Sequence, residues 1–413
     1  MSMSTVVRRR GFTCTLLPLG VAALAVGVSS AVTVPFLALF LGTEVQADPA
    51  RVSLFLIVSP LAGVLVSTLV GWLSDRRPMR KTLVIVTAAA GGAGMCLTAF
   101  VRDYWILLAL AATLSALAGA LFPQLFAYAR EALTRDDPGR AAMGTSTLRT
   151  IFALAWVAGP PFGALLLDAG GFPYVYGAAA VLFGLAAVVV ASAGPEDLRA
   201  PAAAMSADSV GSAVSGRVAA RWTLVLTTAA FTMLQCPLTL GLQALSLFID
   251  AELDGDASDA GFILGLCAAL EIPLMLGLGL LTTRVPVRTL VLAGAACGVG
   301  YYAVVTVASS VWVLALAQCL NAAFIAAVAS VGISYMQEML PRHPGQATTL
   351  FANSYTLGAV LSGPLLGISQ QFGYRFAYAS GMVLCLLGLL FLLWARPSGE
   401  PPAGEAQPPR LSG

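Results

Sequence analysis

Long apolar runs separated by short polar segments make up most of the chain. A helix needs roughly 20 mainly apolar residues to cross a bilayer, and runs of that length recur along the whole sequence. The strict alternation of apolar and polar positions that marks barrel strands is absent. The pattern therefore predicts an all-α membrane protein with twelve transmembrane helices. The runs lie at residues 13–41, 52–74, 82–100, 104–131, 141–168, 173–193, 221–249, 258–283, 287–308, 311–339, 345–372 and 374–395.

The scarcity of charge excludes several classes of protein. Of 413 residues, 58% are hydrophobic and 10% are charged, whereas a soluble domain carries about 25% charged residues. Lys81 is the only lysine and His343 the only histidine, which excludes P-loops and paired-histidine zinc motifs. A net charge of +2 does not provide the strongly basic surface that nucleic-acid-binding proteins carry. We expect a protein in the lipid bilayer that is not an enzyme and has no metal, cofactor or nucleic-acid partner.

The positions of the arginines predict the topology. An even number of crossings places both termini on one side, and basic loops mark the cytoplasmic side of a membrane. Only Arg51, Arg102 and Arg375 lie in the opposite loops. We therefore expect a multi-pass protein of the cytoplasmic (inner) membrane with both termini in the cytoplasm. The basic residues on the expected cytoplasmic side are Arg8, Arg9, Arg10, Arg76, Arg77, Arg80, Lys81, Arg135, Arg140, Arg284, Arg288, Arg342 and Arg396.

An internal repeat divides the chain into two halves. The segment Gly71–Lys81 matches Gly279–Thr289 at an offset of 208, and Gly159-Pro160 matches Gly363-Pro364 at an offset of 204. We expect two pseudo-repeated six-helix bundles, 1–193 and 221–396, joined by a cytoplasmic linker at 194–220 and followed by a disordered cytoplasmic tail at 397–413. Duplicated halves are typical of alternating-access carriers, whose site lies between the halves near mid-membrane.

The loop after the second run carries a family resemblance. Its residues Gly71-x-Leu-Ser-Asp75-Arg76-x-x-x-Arg80-Lys81 resemble the signature of the major facilitator superfamily. Within that superfamily the chain resembles the bacterial sugar efflux transporters, through segments such as 122–131, 154–161, 270–273, 321–325 and 347–354. The resemblance implies export of sugars or glycosides in exchange for protons. Many proton-coupled drug exporters of this superfamily carry an arginine within helix 4. No charged residue lies between Asp103 and Arg130 here, which counts against a drug exporter of that kind.

Ionisable groups inside apolar runs are candidates for proton coupling, because hydrocarbon makes each one costly, by about 2.5–3.5 kcal/mol. Glu271 lies near the middle of helix 8, two residues before Pro273. Burial disfavours a charged carboxylate, as a proton carrier requires. We expect Glu271, with Glu131 as a second candidate, to carry the proton. The alternative is a structural carboxyl group bonded to a neighbouring helix.

Candidate substrate contacts are mainly uncharged. Arg149 and Trp156 are seven residues apart on helix 5, about 20° around its axis. Trp156 offers an apolar stacking face to a sugar ring. Amides both donate and accept hydrogen bonds, as a neutral polyhydroxylated solute requires. The alternatives are a snorkelling arginine, a packing tryptophan and interhelical hydrogen bonds. The substrate-binding candidates are Arg149, Trp156, Gln235, Asn321 and Asn353.

Charges at the expected cytoplasmic ends of helices are candidates for gating. Asp75, Arg76 and Arg80 lie between helices 2 and 3, where charge pairs across the two halves can hold one access state. Arg130 and Glu131 end helix 4 and can form a gate at the cytoplasmic mouth. The alternatives are membrane anchoring for the arginines and ordinary helix-end charges.

The favoured interpretation is a monomeric secondary carrier that exports a small neutral sugar or glycoside and uses the proton gradient as its energy source. Two alternatives stay open. One is a multidrug efflux carrier of the same superfamily, which predicts apolar cations as substrates. The other is a non-transporting membrane sensor with the same fold, which predicts binding of a ligand without counterflow.

Overall fold

The structure, a computed structural model, describes residues 12–76, 79–192, 218–340 and 344–395. These residues are almost entirely helical and include no strand, which confirms the predicted all-α fold. Residues 194–217 of the predicted linker, the predicted tail, and Arg8, Arg9, Arg10, Arg77, Arg342, His343 and Arg396 lie outside the described residues. The helices are α1 (Phe12–Thr33, continued by Val34–Phe36 and Leu37–Thr43), α2 (Pro49–Arg76), α3 (Arg80–Phe100), α4 (Tyr104–Leu110, Ala111–Ser115, Ala116–Gly119 and Leu121–Asp136), α5 and α6 (together Ala141–Ser192), α7 (Val218–Leu253), α8 (Ala257–Leu281), α9 (Val287–Thr306), α10 (Val311–Ala326, Ala327–Val331 and Gly332–Met339), α11 (Pro344–Phe372) and α12 (Arg375–Trp394).

Ten helical stretches in the described part of the chain are long and apolar enough to cross a membrane. One of the ten, Met143–Ser192, contains both α5 and α6, which are separated by non-helical backbone at Gly170 and Gly171. Helix α11 is 29 residues long but is not among the ten. Its glutamine, asparagine, serine and threonine side chains give it a more polar surface than the other helices.

Glycines form the two corresponding turns between α5 and α6 and between α11 and α12. Gly171 has φ = 69° and Gly373 has φ = 96°, a backbone region that side chains with a Cβ atom rarely adopt. The two glycines are 202 positions apart, close to the spacing of the internal repeat. Each turn reverses the chain at the same place in its half.

The helix ends define two faces of the molecule. The arginine-rich end holds the loops near residues 76–80, 136–141 and 281–287, and the arginine-poor end holds those near 43–49, 100–104, 253–257, 306–311 and 372–375. Exposed tryptophans lie near both ends, as expected where amphipathic rings sit at the two membrane interfaces. They are Trp72, Trp222 and Trp394 toward the arginine-rich end and Trp105 and Trp312 toward the arginine-poor end.

Most helix contacts lie within one half. Helices α1 to α6 pack mainly on one another, as do α7 to α12. The main contacts between the halves are made by α5 with α8, by α2 with α11, and by the end of α1 with α7. These contacts place α8 and α11 of the second half directly beside helices of the first half.

Two arginine clusters hold helix tips at the arginine-poor end. In the first half, Arg102 Nε lies 3.0 Å from Glu44 Oε2 and the guanidinium lies 5.3 Å from the Phe40 ring centre. The same guanidinium donates to the carbonyls of Thr98, Ala99 and Val101 at the end of α3. This N-half arginine cluster (Phe40, Glu44, Arg102 and these carbonyls) ties the tip of α1 to α3.

The second half repeats this arrangement with an arginine from another helix. Arg375 Nε lies 3.1 Å from Glu252 Oε2, and the guanidinium lies 5.8 Å from the Phe248 ring centre. It also donates to the carbonyls of Thr306 and Ala308, both at 2.9 Å. Phe248 and Glu252 follow Phe40 and Glu44 by 208 positions, but Arg375 starts α12, whereas Arg102 follows α3. This C-half arginine cluster (Phe248, Glu252, Arg375 and these carbonyls) joins α7, α9 and α12.

Candidate functional site

Glycines bring α5 and α8 together near the arginine-poor end. A Cβ atom on Gly265 would lie 2.7 Å from the Val157 carbonyl oxygen, and one on Gly261 would lie 2.8 Å from that of Pro160. Neither position can hold a side chain unless the helices separate. The Ser258 hydroxyl donates to Asp168 Oδ2 across the same contact at 2.9 Å. The two halves are therefore closely packed along this edge.

The contact between α2 and α11 is equally close. A Cβ atom on Gly363 would lie 3.0 Å from the Ser53 carbonyl oxygen, and one on Gly367 would lie 2.7 Å from that of Pro49. A third contact joins α7 to α1, where the Ser246 hydroxyl donates to the Pro35 carbonyl at 3.5 Å. All these inter-half contacts lie toward the arginine-poor end, so the molecule is closed there.

At the arginine-rich end, three polar contacts between described residues join helices of one half. Arg80 Nη1 lies 2.6 Å from Glu131 Oε1, joining α3 to α4. Lys81 Nζ donates to the Ala191 carbonyl of α6, and Arg288 donates to the Leu392 carbonyl of α12. Each of these contacts between described residues joins two helices of the same half. The halves thus enclose a cleft that faces the arginine-rich end.

Arg149 and Trp156 lie on the cleft side of α5. The helix turns about 100° per residue, so the exposed Leu154, Phe162 and Leu165 lie on the face opposite Arg149. Residues that pack on α1 and on α8 occupy the two flanks between these faces. Arg149 is exposed and forms no ion pair or hydrogen bond with another described residue. Trp156 is half-buried, about two turns deeper.

Glu271 faces the cleft from α8. The exposed Phe262, Leu276 and Leu280 lie on the opposite face of the helix and mark its lipid side. Glu271 is partly buried, and no hydrogen bond or ion pair joins it to another described residue. Cys267, one turn away, is its near neighbour on the flank that packs against α10. The acid predicted from the sequence is therefore positioned in the cleft wall.

A hydrogen-bonded polar cluster lies beside this acid. Asn321 Nδ2 donates to Gln318 Oε1 at 2.9 Å and contacts Cys267 Sγ at 3.4 Å. Gln318 is buried, donates to the Leu314 carbonyl, and lies within hydrogen-bonding reach of the Tyr301 hydroxyl. Asn321 is only partly buried, so of these amides it is the one placed to reach the cleft.

The remaining two substrate-binding candidates occupy different surroundings. Gln235 is buried where α7 packs against Gly358 of α11. Asn353 is exposed but lies about 40° around α11 from the exposed Leu357, on the side that leads toward lipid. The structure therefore brings Arg149, Trp156, Glu271 and Asn321 toward the cleft and leaves Gln235 and Asn353 on the flanks of their helices.

The gating candidates lie at the arginine-rich end, and the contacts described for them are within the first half. Arg76 is exposed, with its guanidinium 3.9 Å from the ring centre of Trp72 on its own helix. Arg130 is exposed at the end of α4. Arg80 pairs with Glu131 inside the first half. The backbone of Asp75 continues α2, but its side chain lies outside the described atoms.

Sequence reasoning missed Tyr355. Its side chain is 55% exposed, and the turn of the helix directs it toward the cleft. It lies between the face of α11 that packs on α7 and the face that packs on α2, and opposite Leu361 and Ile368. The candidate predicted on α11 was Asn353, which is two residues away and therefore on the opposite face of the helix.

The geometry defines a class of protein: a membrane carrier of two helical halves around a cleft open at one end. The family model of the Major Facilitator Superfamily matches residues 19–249 and 239–412. The chain belongs to the Major Facilitator Superfamily. It is a multi-pass membrane transporter by family and fold.

Two relatives of this chain are named sugar efflux transporters. Sugar efflux transporter A of Dickeya chrysanthemi is 36% identical over 377 residues, which cover 91% of this chain and 93% of the relative. Sugar efflux transporter A of Escherichia coli (strain K12) is 34% identical over 369 residues, covering 89% and 92%.

Solved structures share the fold at low identity. The nucleoside transporter NupG superimposes with a TM-score of 0.70 at 12% identity, covering 92% of this chain and 98% of NupG. The peptide transporter POT, in complex with sulfate, gives 0.73 at 17% identity, covering 94% and 96%. At these identities the likeness concerns the fold alone.

Proposed function

We propose that this protein exports sugars or glycosides across the cytoplasmic membrane in exchange for protons, by alternating access. The observation that carries the proposal is the match over about nine-tenths of the chain to proteins named sugar efflux transporters. The arrangement of the helices supports it, because the halves meet at one end and enclose a cleft toward the other.

The chemistry of the cleft fits a neutral, hydroxyl-rich substrate. Trp156 offers an aromatic face, while Asn321 and Tyr355 offer groups that donate and accept hydrogen bonds. Arg149 is a further donor. A site of this composition satisfies hydroxyl groups without requiring a charged substrate.

The arginine-rich end is cytoplasmic in this proposal, by the positive-inside rule. The structure then corresponds to a state open to the cytoplasm, in which sugar enters the cleft. Closure at the arginine-rich end and separation of the glycine contacts at the other end would release it outside. Glu271, the acid in the cleft wall, is proposed to carry the counter-transported proton.

Reconstitution tests the proposal directly. Purified protein in liposomes is given a pH gradient, and labelled lactose is followed beside an ethidium-type cation. We expect lactose to accumulate against its gradient while the cation stays at the level of empty liposomes. Cation flux without lactose flux would replace the proposal with multidrug efflux. Lactose binding without counterflow would replace it with a membrane sensor.

A further inference from the structure

We propose that Arg149 of α5 and Glu271 of α8 form an ion pair across the cleft when the arginine-rich end closes, and that a proton on Glu271 breaks the pair and lets this end reopen. The inference rests on the proposed exchange of sugar for protons. It assigns a specific partner to the coupling acid and a gating role to an arginine that pairs with no described acid in the open state.

The register of the two helices puts both side chains at one level. Helices α5 and α8 are antiparallel and meet where Gly265 approaches Val157 and Pro161. Glu271 lies six residues beyond Gly265, roughly 9 Å along α8, and Arg149 lies eight residues before Val157, roughly 12 Å along α5. The two groups are thus on the same side of the contact, with their levels about 3 Å apart.

Both side chains also point into the space between the halves. The exposed apolar side chains of each helix lie on the opposite face, with Leu154 and Leu165 on α5 and Leu276 and Leu280 on α8. Rotation of the halves about the glycine contact would narrow the cleft at the level of these two groups. No other described inter-half pair of opposite charges occupies that level of the α5–α8 edge.

Physical chemistry favours the pairing. Each charge lies within an apolar span and is costly when unpaired in a low-dielectric surrounding. In the open state, water in the cleft can solvate both groups. Closure removes that water, so two opposite charges brought together are far more stable than either alone. A neutral Glu271 loses the attraction and leaves Arg149 to be solvated again by opening.

Other titratable groups around Glu271 are placed elsewhere or carry no charge at neutral pH. Cys267 is its neighbour on α8, and Tyr301 of α9 lies beside Gln318 of the polar cluster. Asp168 of α5 is at the arginine-poor end, bonded to Ser258. On the packed helices α7 and α10, the titratable side chains that the structure describes are Cys236, Asp250, Glu252, Cys319, Tyr335 and Glu338. The three acids and Tyr335 lie toward helix ends, Cys236 is buried and Cys319 is exposed.

The pair gives a reason for exchange. Sugar enters the open cleft while Glu271 is charged, and pairing with Arg149 stabilises closure on the cytoplasmic side. A proton arriving from outside neutralises Glu271, which favours return to the cytoplasm-open state. Release of the proton there restores the charge. Sugar and proton thus move in opposite directions.

Cross-linking tests whether the two positions approach each other. The full chain, with its seven cysteines replaced by serine and a protease site inserted between residues 194 and 217, receives Arg149→Cys and Glu271→Cys. In liposomes with lactose present, we expect a short bifunctional maleimide to join the two halves after proteolysis. The matched control combines Leu154→Cys, on the opposite face of α5, with Glu271→Cys and should give no joined product.

Flux measurements test whether the approach involves charge. Arg149→Gln and Glu271→Gln should each lower lactose counterflow by more than about tenfold, because each leaves one charge unpaired on closure. The double variant should recover counterflow to within about threefold of wild type, since it leaves neither charge. It should not recover flux driven by a pH gradient.

The outcomes separate the two proposals. Normal wild-type exchange with no cross-link, or a double variant no better than the worse single variant, overturns the ion pair and leaves sugar export standing. A cross-link with rescued counterflow, but no effect of a pH gradient on wild type, supports the ion pair and overturns proton exchange. Size-exclusion profiles identify any variant that fails to fold, and the cross-linking result then decides.

Discussion

The two halves of the molecule agree at the arginine-poor end and differ in the cleft. Phe40 and Glu44 on α1 correspond to Phe248 and Glu252 on α7, and each pair holds one guanidinium against the carbonyl end of α3 or α9. In the cleft, by contrast, the first half provides Arg149 and Trp156, while the second half provides an acid and a cluster of amides.

The feature that the halves share concerns their movement, and the feature in which they differ concerns the binding of substrate and proton. The tips of α1 and α7 meet each other across the halves, so both must be fixed to their own half if the halves are to move as units. The N-half arginine cluster fixes the tip of α1, and the C-half arginine cluster fixes the tip of α7. Substrate and proton need different partners on the two walls, and the walls differ accordingly.

The largest expected effect comes from removing the acid of the second half. Glu271→Gln should lower pH-gradient-driven lactose flux by more than about a hundredfold, because breaking a buried charge pair costs about 3–5 kcal/mol. Flux into proteoliposomes measures it. Glu338→Gln is the matched control, since Glu338 is an exposed acid at the end of α10. Flux in that variant should stay within about twofold of wild type; equal losses in both would contradict a special role for Glu271.

The next effect concerns the closed end. Gly265→Leu should lower lactose counterflow by about tenfold or more, because a side chain there meets Val157 and Pro161 and holds α5 and α8 apart. A cysteine at Ser258 should then react faster with a water-soluble maleimide, since the end it occupies is open.

Gly277→Leu is the control on the same helix. A Cβ atom at Gly277 would meet nothing within 4 Å, so the substitution changes helix composition without changing the contact. We expect counterflow and labelling at Ser258 to remain as in wild type. Slow labelling in the Gly265 variant would show that the glycine contact does not hold this end closed.

The arginine clusters should differ in strength although they look alike. Arg375→Ala should lower the free energy of unfolding by about 2 kcal/mol, because its charge-assisted hydrogen bonds join α7, α9 and α12. Arg102→Ala should cost about 1 kcal/mol, because its carbonyl acceptors belong to or adjoin the helix that it follows, and its contacts with the tip of α1 are one ion pair with Glu44 and the Phe40 ring.

Detergent unfolding curves measure both changes. The control is Arg51→Ala, which removes an exposed pair with Asp48 three residues away at the same end of the molecule. It should leave the unfolding curve almost unchanged. If Arg102→Ala proves more destabilising than Arg375→Ala, the guanidinium of the first half must hold more than the tip of α1.

The apolar pattern predicts the helices well, because length and hydrophobicity alone determine which segments can cross lipid. It also identifies Glu271 and Arg149, since a charge inside an apolar run is visible without a structure. It is harder to predict from the sequence which neighbouring helix each face of a helix packs against. At the Gly-Pro match, Gly159 packs on Ala31 of its own half, whereas Gly363 packs on Ser53 of the other half.

A shift of one residue in aligning the halves explains the different packing of these two glycines. One position turns a helix by about 100°, so a sequence offset of 204 and a structural offset of 203 give different faces. In the structure Gly363 has the place of Pro160, and the side chain of α11 that lines the cleft is Tyr355 rather than Asn353. Aligning the sequences of the two halves does not predict the arginine clusters, because Arg102 and Arg375 are not at matching positions.

The smallest expected effect tests that correction. Tyr355→Phe removes one hydroxyl group from the cleft wall and should raise the KM for lactose counterflow about two- to tenfold, since a single neutral hydrogen bond contributes about 0.5–1.5 kcal/mol. The maximal rate should change little, because neither the acid nor the helix contacts are altered. Tyr174→Phe is matched in exposure, at 56% against 55%, but Tyr174 lies at the start of α6, away from the cleft. A KM that rises equally in both variants would place the sugar elsewhere, whereas a rise confined to Tyr355→Phe would place the α11 wall in contact with substrate.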